Sequence, residues 1–240
     1  MTTSPDRPLS IVLLLGQSNM AGRGRADPVA TEPHPRVLAW SRDDRWVPAR
    51  DPLHWDKPEA GVGPGLACAS ALVAADPAAW IGLVPAAVGG TSITVWEPGA
   101  QDPVTRAFPY DDALRRARAA LRHGVLRGIL WHQGEADRGA AARAHYAQRF
   151  TTLVARLRAE LQAPDVPVVA GELPQLHPDR QADTTAFNGI LAGLIPQIPR
   201  FAVVGADGLR DGGDRLHLDA DSARAFGRRY ATALLALERR

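Results

Sequence analysis

From residue 9 the chain reads Leu-Ser-Ile-Val-Leu-Leu-Leu-Gly, almost uninterruptedly apolar and halted by a glycine. Similar runs recur at Arg36–Trp40, Trp80–Pro85, Gly128–Gln133 and Val166–Gly171, with a weaker one at Phe201–Gly205. The longer runs do not alternate between apolar and polar residues, which is the pattern of strands covered on both faces in a parallel sheet. Between them the period changes. Tyr146, Phe150, Leu153, Val154, Leu157 and Leu161 recur at steps of three and four and mark one helical stripe. Ala223, Phe226, Tyr230, Leu234 and Leu235 form another. Leu114, Ala117 and Leu121 make a shorter one that stops at His123-Gly124, and an Ala-rich helix over Gly65–Ala75 ends at Asp76-Pro77. The alternation predicts a three-layer α/β/α sandwich with right-handed crossovers and a parallel sheet of five strands, six with Phe201–Gly205. Residues Gly22 to Gly63 break the rhythm and are rich in Pro, Arg, Asp and Trp. Trp40, Trp46 and Trp55 predict that this long connection is ordered and packed.

The chain has 240 residues, 45% hydrophobic and 22% charged, which suits one α/β domain spanning 1–240. Its net charge of +2 comes from scattered Arg rather than basic runs, so no nucleic-acid partner is expected. The lone Cys68 excludes an internal disulfide and a Cys-x-x-Cys metal site, and its Ala-rich surroundings mark it as buried. His34, His54, His145 and His177 are scattered without metal-ligand spacing, and neither metal nor cofactor is expected. The polar Met1–Pro8 and the short apolar run after it predict no leader and no membrane span. The expected location is the cytoplasm, or outside the cell had a leader been removed.

Four stretches follow presumed carboxyl ends of strands, where open α/β sheets bind ligands. The first is Gly16-Gln17-Ser18-Asn19, where Ser18 is either a helix cap or a nucleophile. The second is Val88-Gly89-Gly90-Thr91-Ser92, either a tight turn or a source of exposed amides for an oxyanion. The third is Trp131-His132-Gln133-Gly134-Glu135-Ala136-Asp137. There Gln133 offers an amide to developing negative charge, Glu135 offers a carboxylate to a histidine, and His132 reads as part of the wall. The fourth runs from Asp211 to His217. Asp214 and His217 are three apart, a spacing that lets the carboxylate orient the imidazole. The order Ser, Asp, His also occurs in α/β-hydrolases, but Met20 stands where their nucleophile elbow needs its second glycine.

With these residues in view, the chain resembles the SGNH (GDSL-like) hydrolases. It is most similar to their carbohydrate acetylesterase branch, which includes family 6 acetyl xylan esterases and sialate O-acetylesterase-like domains. The matching stretches are Gly16-Gln17-Ser18-Asn19-Met20, Asp51-Pro52-Leu53, Gly63-Pro64-Gly65-Leu66, Gly89-Gly90-Thr91-Ser92-Ile93, Trp131-His132-Gln133-Gly134-Glu135 and Asp214-x-x-His217. The resemblance implies a flavodoxin-like sandwich with Ser18 as nucleophile, His217 as base and Asp214 as the acid that orients it, a role Glu135 shares or replaces. It implies oxyanion donors at the Ser18 amide, the Gly90 amide and Gln133, where the wider superfamily carries Asn.

The implied reaction is removal of O-acetyl groups from a carbohydrate through an acyl-enzyme. The substrate is expected to be a small-molecule or oligosaccharide acetyl ester: acetylated xylan, a xylo-oligosaccharide or an O-acetyl sialic acid. Gln17, Asn19 and Trp96 are expected at the substrate, with Trp96 walling a shallow cleft and Trp55 or Trp96 stacking on sugar; Trp80 and Trp131 are expected in the core. Two other readings are an arylesterase, lipase or thioesterase acting on a non-sugar ester, and a catalytically idle carbohydrate-binding module. The charged, Pro-rich segment after Ser18 opposes a long acyl pocket. The intact Ser, Asp and His oppose an idle module.

Overall fold

A computed structural model describes residues 8–25 and 33–239. In chain order the larger elements begin with β1 (Leu9–Gly16), α1 (Ser18–Ala21), β2 (Val37–Trp40), β3 (Trp46–Pro48), α2 (Pro64–Ala75) and β4 (Ile81–Pro85). They continue with α3 (Pro109–Ala120), β5 (Gly124–His132), α4 (Ala140–Arg143), α5 (Tyr146–Glu160), β6 (Val168–Gly171), α6 (Gln181–Leu194), β7 (Phe201–Val204) and α7 (Ala220–Glu238). All seven strands form one sheet in the order β3-β2-β4-β1-β5-β6-β7. The pairings are parallel except for β3, which returns antiparallel on β2 at the edge. The sheet therefore has one more strand than the expected upper count, and that strand runs against the others. Three residues ending in Pro48 carry no strand periodicity, and an edge tolerates a proline that cannot donate to a ladder.

β1 lies mid-sheet between β4 and β5, and its unbroken apolar run has a direct cause. Ile11, Leu13 and Leu15 point into one core, with Trp131, Phe150 and Phe187. Val12 and Leu14 point into the other, with Leu72, Phe226 and Tyr230. Both faces are covered by helices, so no position from Ile11 to Leu15 is left for a polar residue.

Cys68 is fully buried on α2, and burial pushes its thiol up to about 12. The long connection is ordered where described. Trp40 and Trp46 meet edge to face with centroids 4.9 Å apart, and Gly24 bridges Val62. Trp131 is buried and Trp80 is half-buried against the first core. Among the described residues no helix is long and apolar enough to cross a membrane.

Candidate active site

The carboxyl ends of β1, β4 and β5 lie side by side, with β1 between its two partners. Here the chain order reverses across the sheet, the place where open α/β folds bind ligands. Gly16 ends β1 at a φ of 125°, and a Cβ there would lie 2.1 Å from the His132 carbonyl oxygen. Only glycine lets β1 and β5 end in contact and the chain then turn into α1. Ser18 opens that helical turn and is 6% exposed.

The closing turn comes back to meet it. Nε2 of His217 lies 3.1 Å from Oγ of Ser18, and Nδ1 lies 2.6 Å from Oδ2 of Asp214. The turn braces itself. Oδ1 of Asp214 accepts from the amides of Leu216 and His217 at 2.9 and 2.8 Å, and Oδ1 of Asp211 accepts from Gly213 and Arg215. Partial burial pushes the Asp214 carboxyl up. The His217 amide, the His217 ring and the Leu216 amide together outweigh it and hold the carboxyl below the usual carboxylate range. An ionised carboxylate only accepts, so Nδ1 of His217 carries the proton and the lone pair of Nε2 faces the serine hydroxyl.

The Gly89–Ile93 turn after β4 stands beside Ser18 and is pinned from two sides. On one side Oδ2 of Asp56 accepts from the Gly89 amide at 2.8 Å and from Nη2 of Arg23 at 2.7 Å. Nη1 of Arg23 in turn donates to the Gly22 carbonyl, at the end of α1, at 2.7 Å. The side chains of Arg23 and Asp56 are only 5% and 3% exposed. On the other side Nε2 of Gln133 donates to the Thr91 carbonyl at 3.0 Å and also to Asp137. Asp137 accepts from Ser92 Oγ at 2.6 Å and from the Ile93 amide at 2.8 Å. Between these grips Gly90 is exposed at a φ of 85°.

Several expectations are corrected here. Gln133 is fully buried and its amide hydrogens are given to Thr91 and Asp137, so it shapes the turn rather than facing an oxyanion. Trp96 is 1% exposed, edge-on to Trp131 with centroids 4.9 Å apart, and belongs to the core rather than to a cleft wall. Gln17 and Asn19 are 3% and 2% exposed, and Oε1 of Gln17 and both amide atoms of Asn19 bond to the scaffold. Oε1 of Gln17 accepts from the Gly134 amide at 3.3 Å. Nδ2 of Asn19 donates to Glu135 Oε1 at 2.6 Å and to the Leu216 carbonyl at 3.2 Å, while its Oδ1 accepts from the Leu218 amide at 3.0 Å. Glu135 thus reaches the His217 turn through Asn19; the carboxylate on the imidazole is that of Asp214. His132 is fully buried, with Nε2 on the Glu172 carbonyl at 3.2 Å, a wall residue as expected. Reading the sequence did not find Arg23 and Asp56. They lie 33 residues apart in the irregular segment, where no spacing rule signals a pair.

Residues 8–236 match the family model described as carbohydrate esterase, sialic acid-specific acetylesterase. The chain belongs to this family. The esterase is 32% identical to a probable carbohydrate esterase of Arabidopsis thaliana, over 97% of the chain and 92% of the relative. An X-ray structure of an Arabidopsis thaliana protein shares the fold at a TM-score of 0.84 and 29% identity, covering 95% of this chain and 98% of that one. NanS shares it at 0.79 and 21% identity, covering 99% of both chains. A carbohydrate acetylesterase from Xanthomonas citri follows at 0.71 and 16%, covering 95% of this chain and 56% of that one. The enzyme is thus a carboxylic ester hydrolase of the carbohydrate acetylesterase class. Membership in this family argues against the idle-module reading.

Proposed function

We propose that the enzyme releases acetate from O-acetylated sugars through an acyl-enzyme on Ser18. The contact of 3.1 Å between Ser18 Oγ and His217 Nε2, with Asp214 behind the ring, carries this reading. His217 takes the hydroxyl proton as Ser18 Oγ attacks the acetyl carbonyl carbon. The amides of Ser18 and Gly90 receive the oxyanion, and the grip of Asp56 on Gly89 and of Gln133 on Thr91 keeps the second donor in place. The tetrahedral centre collapses, and His217 returns the proton to the departing sugar oxygen. A water molecule then gives a proton to His217 and attacks the acetyl-serine carbonyl, and as the tetrahedral centre collapses to acetate His217 returns that proton to Ser18 Oγ.

Because the family description names sialic acid, we rank O-acetyl sialic acid first among the candidate sugars, ahead of acetylated xylo-oligosaccharides and xylan. A single screen tests the choice: acetate release from all three, measured with the same enzyme. The largest kcat/KM is expected on the O-acetyl sialic acid. Faster turnover of acetylated xylan or xylo-oligosaccharide would move the assignment to plant-wall sugars, and acetate release from none of them would end the sugar-ester reading.

A further inference from the structure

We propose that the recess beside the Gly89–Gly90 turn seats the sugar ring that carries the ester, with the indole of Trp55 as its stacking platform; this rests on the serine-esterase reading above. The recess encloses about 370 Å³, and Trp55, Asp56, Val88, Thr105, Arg42 and Arg116 are among the residues that line it. It adjoins the Gly89–Gly90 turn. Val88 leads directly into Gly89 and Gly90, and the Asp56 carboxylate that lines the recess also holds the Gly89 amide.

Among the described residues six large hydrophobics are exposed, and one of them, Trp55, lines this recess. Trp55 is 39% exposed, and Val104 and Phe108 flank the lining residues Thr105 and Ala107. An exposed Trp beside a site is informative where a single exposed Leu is not. The Trp55 ring is also held in advance. The guanidinium carbon of Arg116 lies 4.6 Å from its centroid. Arg116 is itself fixed, donating to the carbonyls of Pro85 at 2.9 Å, Trp40 at 2.7 Å and Ser41 at 3.2 Å. A platform ordered before binding costs little entropy when the ligand arrives.

The mixture of surfaces selects the occupant. A pyranose has a C–H face that lies on an aromatic ring and hydroxyls at its edge that need polar partners. Trp55 supplies the first, and Arg42, Thr105 and the remaining charged rim supply the second. A long acyl chain would leave these charged groups desolvated and unpaired, which is costly.

The test compares kcat/KM for an O-acetylated xylo-oligosaccharide and for O-acetyl N-acetylneuraminic acid with that for vinyl acetate, which has no ring. Trp55→Ala is expected to lower the ratio of sugar ester to vinyl ester about tenfold, mainly through KM, with Trp55→Phe recovering most of it. Which of the two sugar esters shows the larger drop identifies the ring recognised. An unchanged ratio in Trp55→Ala, or no recovery with Phe, overturns the proposal. Should neither sugar ester be turned over, calorimetry with the two deacetylated sugars decides, and equal or absent binding in wild type and Trp55→Ala overturns it. The esterase reading fails separately, on turnover retained by Ser18→Ala.

Discussion

Nδ2 of Asn19 donates to Oε1 of Glu135 at 2.6 Å, and the same amide group spans the closing turn from Leu216 to Leu218. Asn19, the residue after Ser18, therefore ties the histidine turn to the segment following β5. This arrangement separates the two acids that resemble each other in sequence. Asp214 touches the imidazole, and Glu135 acts at one remove. Asp214→Asn is expected to lower kcat by about 10³–10⁴-fold, because an amide no longer fixes the tautomer that leaves Nε2 free to accept. Glu135→Gln is expected to cost about tenfold or less. Steady-state kinetics on one acetyl ester ranks them, and the reverse order would give the acid role to Glu135.

Asn19→Ala removes three hydrogen bonds in a site that is only 2% exposed. It strands the Glu135 carboxylate and the Leu218 amide without their partner, and each such buried group costs about 1–3 kcal/mol. A lower melting temperature is expected together with a fall in kcat, since the His217 turn loses its anchor. A variant with wild-type kcat and stability would show that the turn holds itself.

The Arg23–Asp56 pair supports both stability and the Gly89–Ile93 turn. Removing one partner of a buried ion pair costs about 3–5 kcal/mol, so Asp56→Ala is expected to lower the melting temperature by about 10 °C. Replacing both residues, as Arg23→Met with Asp56→Leu, is expected to recover much of the stability but not kcat, because the Gly89 amide remains ungripped. Recovery of both would reduce the pair to a packing role.

Asp51 gives a pH signature independent of catalysis. Burial raises its carboxyl to about 6, against the opposing pull of the Gly63 amide and of the Arg224 charge. The folded value lies above the unfolded value of 3.8, so the stability held by the neutral carboxyl is complete below 3.8 and is lost as pH rises through about 6. A difference of about 2 in pKa corresponds to about 3 kcal/mol. Asp51→Asn keeps an acceptor for the Gly63 amide without the charge. It is expected to raise the melting temperature at pH 8 and to leave it little changed at pH 4. Equal shifts at both values would contradict this.

The strands that build the site were legible because β1 is sandwiched between two cores, which forces an apolar residue at every position from Ile11 to Leu15. β3 was not, since three edge residues with Pro48 obey no period. α6 was missed for a different reason: its stripe of Thr184, Phe187, Leu191 and Leu194 opens on a polar residue, and Gly189 and Gly193 on the exposed side lower its helix propensity. Spacing and chain order offered Ser18, Asp214 and His217 as candidates, the resemblance gave them roles, and the structure brings the three together. Partnership was not legible. Gln133 does meet partners, as a polar group after a buried strand is expected to, but they are the Thr91 carbonyl and Asp137. Trp96 misled because residue type says nothing of direction. Its indole N–H is satisfied inside the core by the Thr91 hydroxyl at 3.3 Å, so nothing draws it toward solvent.

The measurement closest to the central claim is acetate release by Ser18→Ala, assayed on vinyl acetate and on an O-acetylated sugar, with circular dichroism and melting temperature recorded alongside. Release at the rate of the uncatalysed reaction from a protein that folds and melts like the wild type is the expected result. Turnover within tenfold of wild type from that same folded variant would contradict it, and would remove the Ser18–His217 contact from the chemistry.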